Sequence, residues 1–313
     1  MHEIEQAWLP VRAALHPTGL YFALRQIKPD ELQDAFMQET VARISAPETI
    51  VHIAKTDVGK AAPDSAPVGL IFHVARCGST WLAQSLKTLD NLVVYAEPLP
   101  VNEILSPPHK WSRPELVAAL RSLGDALARH AGKPYVLKFS SWNTLFCDIL
   151  VEAFPNSPWV FTLRDPVEVG VSLLQRPPGW FHDSGETSRQ LAMLADPDGA
   201  SKSPEDHVAR LYGAFCDTAA RLNARGGKLV HYESLPAAVW EVVAPHFSLV
   251  IDARQRRLIE EAARIDAKAP GGKPREFSPD AAMKQATAST ALRQAIDAFA
   301  RQPLERLERL HAC

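Results

Sequence analysis

The sequence predicts an α/β fold, a three-layer sandwich in which a central parallel sheet of about five strands lies between layers of helices. The first observation is a series of short apolar runs, each about as long as a buried strand: VGLIFHV, NLVVYA, YVLKF, PWVFTL and KLVHY. The second is that helical stretches separate these runs, as crossover helices separate parallel strands. The third is size, because 313 residues of which 46% are hydrophobic can bury a large core.

The segments on either side of the sheet are predicted to be helical. The stretch DELQDAFMQETVARI has apolar residues at helical spacing, so residues 1–60 are predicted to form a helical flank. The Pro-rich connector AAPDSAP leads from it into a core over residues 66–275. Helices are predicted again over residues 279–313, and the whole chain, 1–313, is taken as a single domain.

Residues 175–207 interrupt the alternation of strands and helices. They are rich in Pro, Gly, Asp and Ser, and long irregular segments of this kind act as binding loops or caps in some proteins and as surface loops in others. The segment is therefore a candidate cap over a substrate, with a mobile surface loop as the alternative.

Composition narrows the classes of function. A formal net charge of −2 gives no global reason to expect a nucleic-acid partner or an anionic membrane surface. The four cysteines are far apart and form no C-x-x-C pair, which argues against zinc and against a disulfide framework and fits a reducing compartment. No leader pattern and no run of about 18 apolar residues is present, so we expect a cytoplasmic protein without membrane insertion.

The stretch FHVARCGSTWL has the layout of a phosphate-binding loop. A predicted strand runs into a Gly-Ser-Thr turn and then into an amphipathic helix, whose first N–H groups can bind an anion. The loop of nucleotide triphosphatases requires G-x-x-x-x-G-K-[ST], but here His73 stands in place of the first glycine and Ser79 in place of the lysine. The cation of this loop is instead Arg76, two residues before Gly78.

Charged side chains follow three other predicted strands. Glu97 follows NLVVYA, Lys138 lies near the end of YVLKF, and Arg164 follows PWVFTL. Because ligands of parallel sheets bind at the carboxyl ends of the strands, these residues and the Gly-Ser-Thr turn are expected at one rim.

These motifs resemble those of sulfotransferases that use 3′-phosphoadenylyl sulfate (PAPS). RCGSTWL is similar to that family's 5′-phosphosulfate loop, and WVFTLRDPVEVGVSLLQR is similar to its 3′-phosphate motif, with Arg164 followed eight residues later by Ser172. YVLKFSSWNTLFCDILVEAFPNSPWVF and VHYESL resemble two further family segments, so the match covers about residues 68–275. The bacterial and tyrosylprotein branches are the nearer ones, since they place an Arg in the loop and a Glu about twenty residues later.

The resemblance implies a P-loop-like fold, PAPS as the sulfuryl donor and no required metal. It implies Glu97 as the general base, with Arg76 and Lys138 stabilising negative charge on the leaving phosphate and the transferred group. The residues that it assigns to cofactor binding are Arg76, Cys77, Gly78, Ser79, Thr80, Trp81, Arg164, Ser172, Arg176, Tyr232 and Lys268.

Several of these assignments have alternatives. The general base could instead be Glu103, His109 or His182. Arg76 could serve only in an ion pair with a carboxylate, and Glu97 could cap the following segment or pair with Arg76. Lys138 could extend its ammonium to solvent, and Trp81 could be a core residue. Arg164 could pair with Asp165 or Glu168 while Ser172 merely packs. Cys77 departs from the family's hydroxyl residue, and AKAPGGKPREF only approximates the late glycine-rich loop, so Lys268 and Arg275 rest on an incomplete match.

The predicted reaction is transfer of a sulfuryl group to a hydroxyl, or else to an amine, of a small molecule or peptide. An ATP-dependent small-molecule kinase and a nucleotide-binding module without turnover are the alternatives. The kinase is disfavoured because Ser79 occupies the position of its lysine. The sequence does not predict the acceptor or the oligomeric state.

Overall fold

The central sheet has five strands, and every pairing in it is parallel, as predicted. The computed structural model describes residues 8–60, 62, 65–106, 111–179, 186–222, 226–263 and 280–311. The strands of the central sheet are β4 (Gly69–His73), β5 (Val93–Ala96), β6 (Tyr135–Lys138), β7 (Trp159–Leu163) and β8 (Lys228–His231). Their spatial order is β5-β6-β4-β7-β8.

Both faces of this sheet are covered. Leu70 and Phe72 of β4 pack into one hydrophobic cluster, whereas Ile71 packs into a second cluster on the opposite face. Because side chains alternate along a strand, this division requires apolar neighbours above and below the sheet, and it accounts for the unbroken apolar runs in the sequence.

Helices supply those neighbours. The α-helices are α1 (Met37–Arg43), α2 (Ser79–Leu86), α3 (Leu99–Leu105), α4 (Arg113–Ala131), α5 (Cys147–Ala153), α6 (Pro166–Gln175), α7 (Glu186–Ala195), α8 (Pro204–Ala220), α9 (Ala253–Ala262), α10 (Ala281–Thr287), α11 (Thr290–Phe299) and α12 (Arg301–His311). Shorter helical segments are Pro29–Glu31, Ser141–Phe146, Tyr232–Ser234, Val239–Val243 and Ala244–His246. Helices α2 and α9 contribute to the smaller cluster, and α4, α5, α6 and α8 contribute to the larger one.

The predicted helical flank over residues 1–60 is wrong for most of that segment. Strands β1 (Trp8–His16), β2 (Gly19–Gln26) and β3 (Glu48–Ala54) form a separate antiparallel sheet, and only α1 follows the helical spacing. The physical reason is a period of two, since Leu20, Phe22 and Leu24 are buried on one face of β2. The helical spacing of one 15-residue window does not extend to the rest of the segment.

The predicted cap segment, 175–207, contains α7 and the start of α8. In α7, Leu191 and Ala195 are buried, whereas Met193 and Leu194 are exposed. Its role as a cap stays a prediction. Helices α10, α11 and α12 lie in the segment for which C-terminal helices were predicted.

The fold determines where a ligand can bind. Strand β4 comes first in the chain, and its neighbours β6 and β7 lie on opposite sides of it. The connections to later strands therefore run to both sides of β4, which makes it a topological switch point. At such a point, a crevice opens outside the carboxyl ends of the strands. Among the described helices, none has both the length and the apolar character needed to cross a bilayer.

Candidate functional site

The loop after β4 begins the site. Strand β4 is buried throughout, and the chain then turns through Arg76 and Gly78 into α2, with Gly78 as the N-cap. Gly78 has a φ of +84°, and a Cβ there would lie 2.9 Å from the Tyr232 ring and 3.0 Å from Leu235. Glycine is therefore needed for both its backbone conformation and its size.

Two functional candidates have strained backbones. Arg76 has a φ of 60° and Glu97 a φ of 53°, and Ser248 is the only other non-glycine residue with positive φ in the described part of the chain. This conformation costs an L-residue about 1–2 kcal/mol. Such strain concentrates at functional sites, where the surrounding structure holds a side chain in place.

A cavity of about 800 Å³ opens at this rim. Many of the residues predicted from the sequence line its walls: Arg76, Cys77, Gly78, Ser79, Thr80, Trp81, Glu97, Lys138, Arg164, Ser172 and Tyr232. Phe36, Asp280 and Lys284 also line it, although the sequence predicted no role for them. Arg176 is exposed and does not line the cavity, and Lys268 and Arg275 lie outside the described residues.

Arg76 faces the cavity with its charge available. Its guanidinium donates to the backbone carbonyl of Arg176, and no carboxylate pairs with it among the residues that the structure describes. Burial lowers the pKa of Arg76, and the nearby charge of Arg176 lowers it further. The alternative of a structural ion pair at Arg76 is thus not realised in the described part of the chain.

Cys77 faces the interior. Its thiol donates to the carbonyl of Val74 at 2.9 Å and lies 3.1 Å from the Thr162 hydroxyl. Burial raises the pKa of the Cys77 thiol. A contact between Cys77 and a ligand would therefore come from the backbone.

Glu97 and Lys138 form an ion pair across β5 and β6. The Lys138 side chain is 1% exposed and the Glu97 side chain 26% exposed, so the carboxylate reaches toward the cavity while the ammonium lies deeper. The Ser140 hydroxyl donates to the second carboxylate oxygen at 3.2 Å. Lys138 lies 5.5 Å from the Phe36 ring and does not extend to solvent.

His73 is fully buried near the charges of this pair. Its two ring nitrogens lie 2.8 Å from the carbonyls of Val74 and Phe139. Burial lowers the pKa of His73 to about 3, and the charge of Lys138 adds to this effect. A cation at Lys138 and a neutral ring at His73 are thus compatible neighbours.

Glu103, the alternative base within the described residues, is not at the cavity. Glu103 accepts hydrogen bonds from Arg12 and from the backbone N–H of Ala13, and it does not line the cavity. His109 and His182 lie outside the described residues. Within the part of the chain that the structure describes, Glu97 is therefore the candidate base with direct access to the cavity beside Lys138.

Arg164 is buried at the end of β7. It donates to Glu168 at 2.7 Å and to Asp280 at 2.5 Å, and its guanidinium stacks 4.0 Å from the centre of the Tyr232 ring. Burial works against the charged form, but the hydrogen bonds to Asp280 and Glu168 leave the pKa of Arg164 raised. The predicted alternative of pairing with Glu168 is therefore present.

Asp165, the other predicted partner of Arg164, has a different role. Its carboxylate caps α6 by accepting from the N–H groups of Val167 and Glu168 at 2.9 and 3.1 Å. The half-buried Ser172 lies further along α6 and faces the cavity.

Trp81 closes the loop side of the cavity. Its indole N–H donates to the carbonyl of Ala262 at 3.3 Å, and its ring is half-buried. The structure therefore brings Trp81 to the cavity wall and ties it to the end of α9.

The candidate residues follow the order of the strands. Along the rim lie Glu97 after β5, Lys138 at the end of β6, the loop after β4, Arg164 after β7 and Tyr232 after β8. Neighbouring strands are about 4.8 Å apart, so the ends of β6 and β7 are separated by about 10 Å with the loop between them. An anion on the loop would thus have Lys138 on one side and Arg164 on the other.

Sequence reasoning missed Asp280 and Lys284. The Asp280 carboxylate binds Lys284 at 2.7 Å as well as Arg164, although these residues are distant in sequence from β7. Neither follows a strand or belongs to a motif that the sequence marks, so no local signal could have identified them. No cluster of three or more potential metal-ligating His, Cys, Asp or Glu side chains occurs within the described ranges.

Comparisons with known proteins give only weak overlaps. No protein-family model matches the chain, and no curated protein matches it. A sulfotransferase from Alicyclobacillus acidocaldarius overlaps 79% of this chain and 96% of its own, with 18% identity and a TM-score of 0.46. The sulfotransferase domain from the curacin biosynthetic pathway gives the same coverage, with 14% identity and a TM-score of 0.44. A mouse sulfotransferase complexed with PAP overlaps 82% of this chain and 85% of its own, with 9% identity and a TM-score of 0.38. Overlaps at this level carry no functional conclusion for the chain.

Proposed function

We propose that this protein is a sulfotransferase that transfers a sulfuryl group from PAPS to a hydroxyl, or less favourably an amine, of a small molecule or peptide. The observation that carries the proposal is the order of groups around one cavity. Glu97 and Lys138 lie on one side of the Arg76 loop, and Arg164 and Ser172 lie on the other.

The residues present fit PAPS. The cavity volume of about 800 Å³ is within the range of small-molecule and cofactor sites. The N-cap of α2 is a glycine, which has no side chain to satisfy the first N–H groups of that helix, so these groups suit an anion. Buried cations on both sides of the loop suit a ligand that carries one anionic group at its 5′ end and another at its 3′ end.

Bound PAPS would supply an activated sulfuryl group, whose S–O bond to the 5′-phosphate breaks as the acceptor oxygen bonds to sulfur. Arg76 would bind the 5′-phosphate and the bridging oxygen that gains charge, together with the N–H groups and hydroxyls of Ser79 and Thr80. Catalysis in this site would consist mainly of positioning and charge stabilisation.

Glu97 would accept the proton of the acceptor hydroxyl. It is suited to this role because its carboxylate is partly exposed to the cavity and is oriented by Lys138 and Ser140. Lys138 lies one strand closer to the loop, where its charge would stabilise negative charge on the sulfuryl group during transfer. The ion pair would thus bring the proton acceptor and a charge-stabilising cation side by side.

Incubation with ³⁵S-labelled PAPS and a metabolite extract, followed by mass spectrometry for addition of one SO₃, tests the activity. The Glu97→Gln variant is the negative control, and Glu103→Gln is the matched carboxylate change outside the cavity. Labelled product with wild type and Glu103→Gln, but not with Glu97→Gln, supports the proposal. If PAPS remains intact and adenosine 3′,5′-bisphosphate does not bind, the proposal is wrong.

A melting experiment separates the kinase alternative. We expect adenosine 3′,5′-bisphosphate to raise the melting temperature equally with and without a chelator, because a ligand that binds only the native state stabilises it by mass action. A shift with ATP and magnesium, and none with the bisphosphate, would support a kinase instead.

A further inference from the structure

Asp280 holds two buried cations together at the Arg164 end of the cavity. Its two carboxylate oxygens bind Arg164 at 2.5 Å and Lys284 at 2.7 Å. The side chains of Arg164 and Lys284 are 4% and 7% exposed, whereas that of Asp280 is 37% exposed. All three residues line the cavity together with Ser172. The cations thus belong to the wall, and the carboxylate lies on its accessible side.

We propose that Asp280 occupies an anion site made by Arg164 and Lys284, and that the 3′-phosphate of the nucleotide displaces its carboxylate. This inference rests on the proposed function and adds Lys284 as a phosphate-binding residue. Asp280 is then a resident anion that competes with the ligand.

The charges around the cluster support displacement. Arg164 keeps Glu168 as a partner on its Nε side, and Asp165 remains bound to the N–H groups of α6 and to Gln285. Lys284 has only the Asp280 carboxylate as an ion-pair partner among the described residues. When Asp280 leaves, one buried ammonium and one face of a guanidinium therefore lose their anion, and leaving them unpaired is costly.

A phosphate can bind these cations more strongly than the Asp280 carboxylate does. It carries a charge of about −1.5 to −2 and three acceptor oxygens near pH 7, so it can accept from the ammonium, the guanidinium and the Ser172 hydroxyl at once. A carboxylate has a single charge and two oxygens, and both of these oxygens are already used. The site therefore favours a phosphate monoester over its own resident group.

Displacement of the Asp280 carboxylate by a phosphate should cost the fold little stability, because of where Asp280 lies. Asp280 precedes α10 as its N-cap residue, but its side chain accepts no capping hydrogen bond from the helix. Asp165 and Ser289, by contrast, do cap the helices that follow them. Rotation of the Asp280 side chain away from the cations therefore breaks ion pairs that the phosphate restores, and it breaks no helix cap.

Calorimetric titration of adenosine 3′,5′-bisphosphate and of AMP tests the inference. In Asp280→Asn the competing charge is absent, and its ion pairs with Arg164 and Lys284 no longer have to be broken. We therefore expect the bisphosphate to bind about three- to tenfold more tightly than to wild type. AMP, which has no 3′-phosphate, should bind with unchanged affinity. Asp297→Asn makes the same chemical change in an exposed pair with Arg301 and should alter neither affinity.

Lys284→Gln gives an independent measurement, which also applies if Asp280→Asn does not fold. It should weaken the bisphosphate by about tenfold, as expected for losing one charge-assisted contact, and leave AMP unchanged. Lys284→Arg should recover part of the affinity. Lys55→Gln, which removes a lysine paired with Glu115 outside the cavity lining, should have no effect.

The failures of the two proposals are distinguishable. If wild type prefers the bisphosphate over AMP but both Asp280→Asn and Lys284→Gln leave that preference unchanged, the displacement model is wrong and the proposed function stands. If neither wild type nor Asp280→Asn binds the bisphosphate, both are wrong.

Discussion

Glu97 and Lys138 meet as an ion pair although one follows β5 and the other ends β6, and the backbone N–H of Glu97 also donates to the carbonyl of Lys138 at 2.6 Å. Two hydrogen-bonding links between the same residues hold the carboxylate at one place on the rim. The positive φ of Glu97, 53°, is part of that arrangement. The Glu97 carboxylate is therefore preorganised by the pairing of β5 with β6.

Replacing Glu97 by Gln should abolish sulfuryl transfer while nucleotide affinity stays within a few-fold of wild type. The amide cannot take a proton, yet it retains an oxygen that can accept from Lys138 and Ser140. Single-turnover transfer and calorimetric binding of the bisphosphate measure the two quantities separately. Near-normal turnover in Glu97→Gln would assign the base to another residue.

Replacing Arg76 by Ala should reduce both nucleotide binding and the rate of transfer. The loss of transition-state stabilisation is expected to be on the order of 2 to 4 kcal/mol, because a preorganised donor at developing charge is removed from a partly buried site. Arg76→Lys should recover part of the loss, since it restores the charge without the planar fork. Equal rates in wild type and Arg76→Ala would remove Arg76 from the mechanism.

Replacing Gly78 by Ala should destabilise the fold and weaken nucleotide binding. The new Cβ would be strained by a φ of +84° and would lie 2.9 Å from the Tyr232 ring. Together these effects should cost about 1 to 3 kcal/mol in the free energy of unfolding. Gly199→Ala is the matched control, because Gly199 also has positive φ, +58°, but a Cβ added there would have no neighbouring atom within 4 Å. Urea unfolding of both variants separates crowding from backbone strain, and equal losses would show that crowding at Gly78 is unimportant.

The buried His73 should make stability depend on pH. Its pKa is lowered from 6.5 to about 3 in the folded protein, so between these values the unfolded chain binds a proton that the folded chain does not. Stability from this group is therefore complete above about pH 6.5 and falls as the pH drops, by up to about 1.4 kcal/mol per pH unit.

The His73→Gln variant checks this dependence. Glutamine has no titrating ring, and its amide can donate to the carbonyls of Val74 and Phe139 that the imidazole now faces. Urea unfolding between pH 7 and pH 4 should give a shallower loss of stability in the variant than in wild type, with pH 8 as the reference at which both residues are neutral. Parallel curves would mean that His73 is not the group responsible.

The sheet and most of the rim were predictable because their signals are local. Each apolar run was long enough for a strand and was followed by the turn or charge that marks its carboxyl end, so Glu97, Lys138 and Arg164 could be assigned to one edge. The antiparallel N-terminal sheet was not predicted. Its strands are stabilised by pairing with one another and by packing on α3 and α4, and a helical period over a neighbouring window was the stronger local signal.

The pairing of Arg164 was predictable only in part. Glu168 lies one helical turn away and could be named as a partner from the sequence, whereas Asp280 reaches Arg164 from a distant helix start. Side chains that meet only through tertiary packing have no characteristic spacing in the sequence by which the contact could be predicted. The same reason explains why Phe36, which reaches the cavity from the N-terminal part of the chain, was not assigned to it.

The thiol of Cys77 is buried under the loop that follows β4, in contact with Val74 and Thr162. A maleimide or disulfide reagent can react with this thiol only when the loop opens. The rate of labelling therefore reports how often the loop opens. Cys147 and Cys216 are also buried free thiols, so their labelling rates in the same sample measure opening of the hydrophobic core. A nucleotide bound across the loop would slow the labelling of Cys77 selectively. The native cysteines thus allow the opening of the loop after β4 to be measured without introducing a label site.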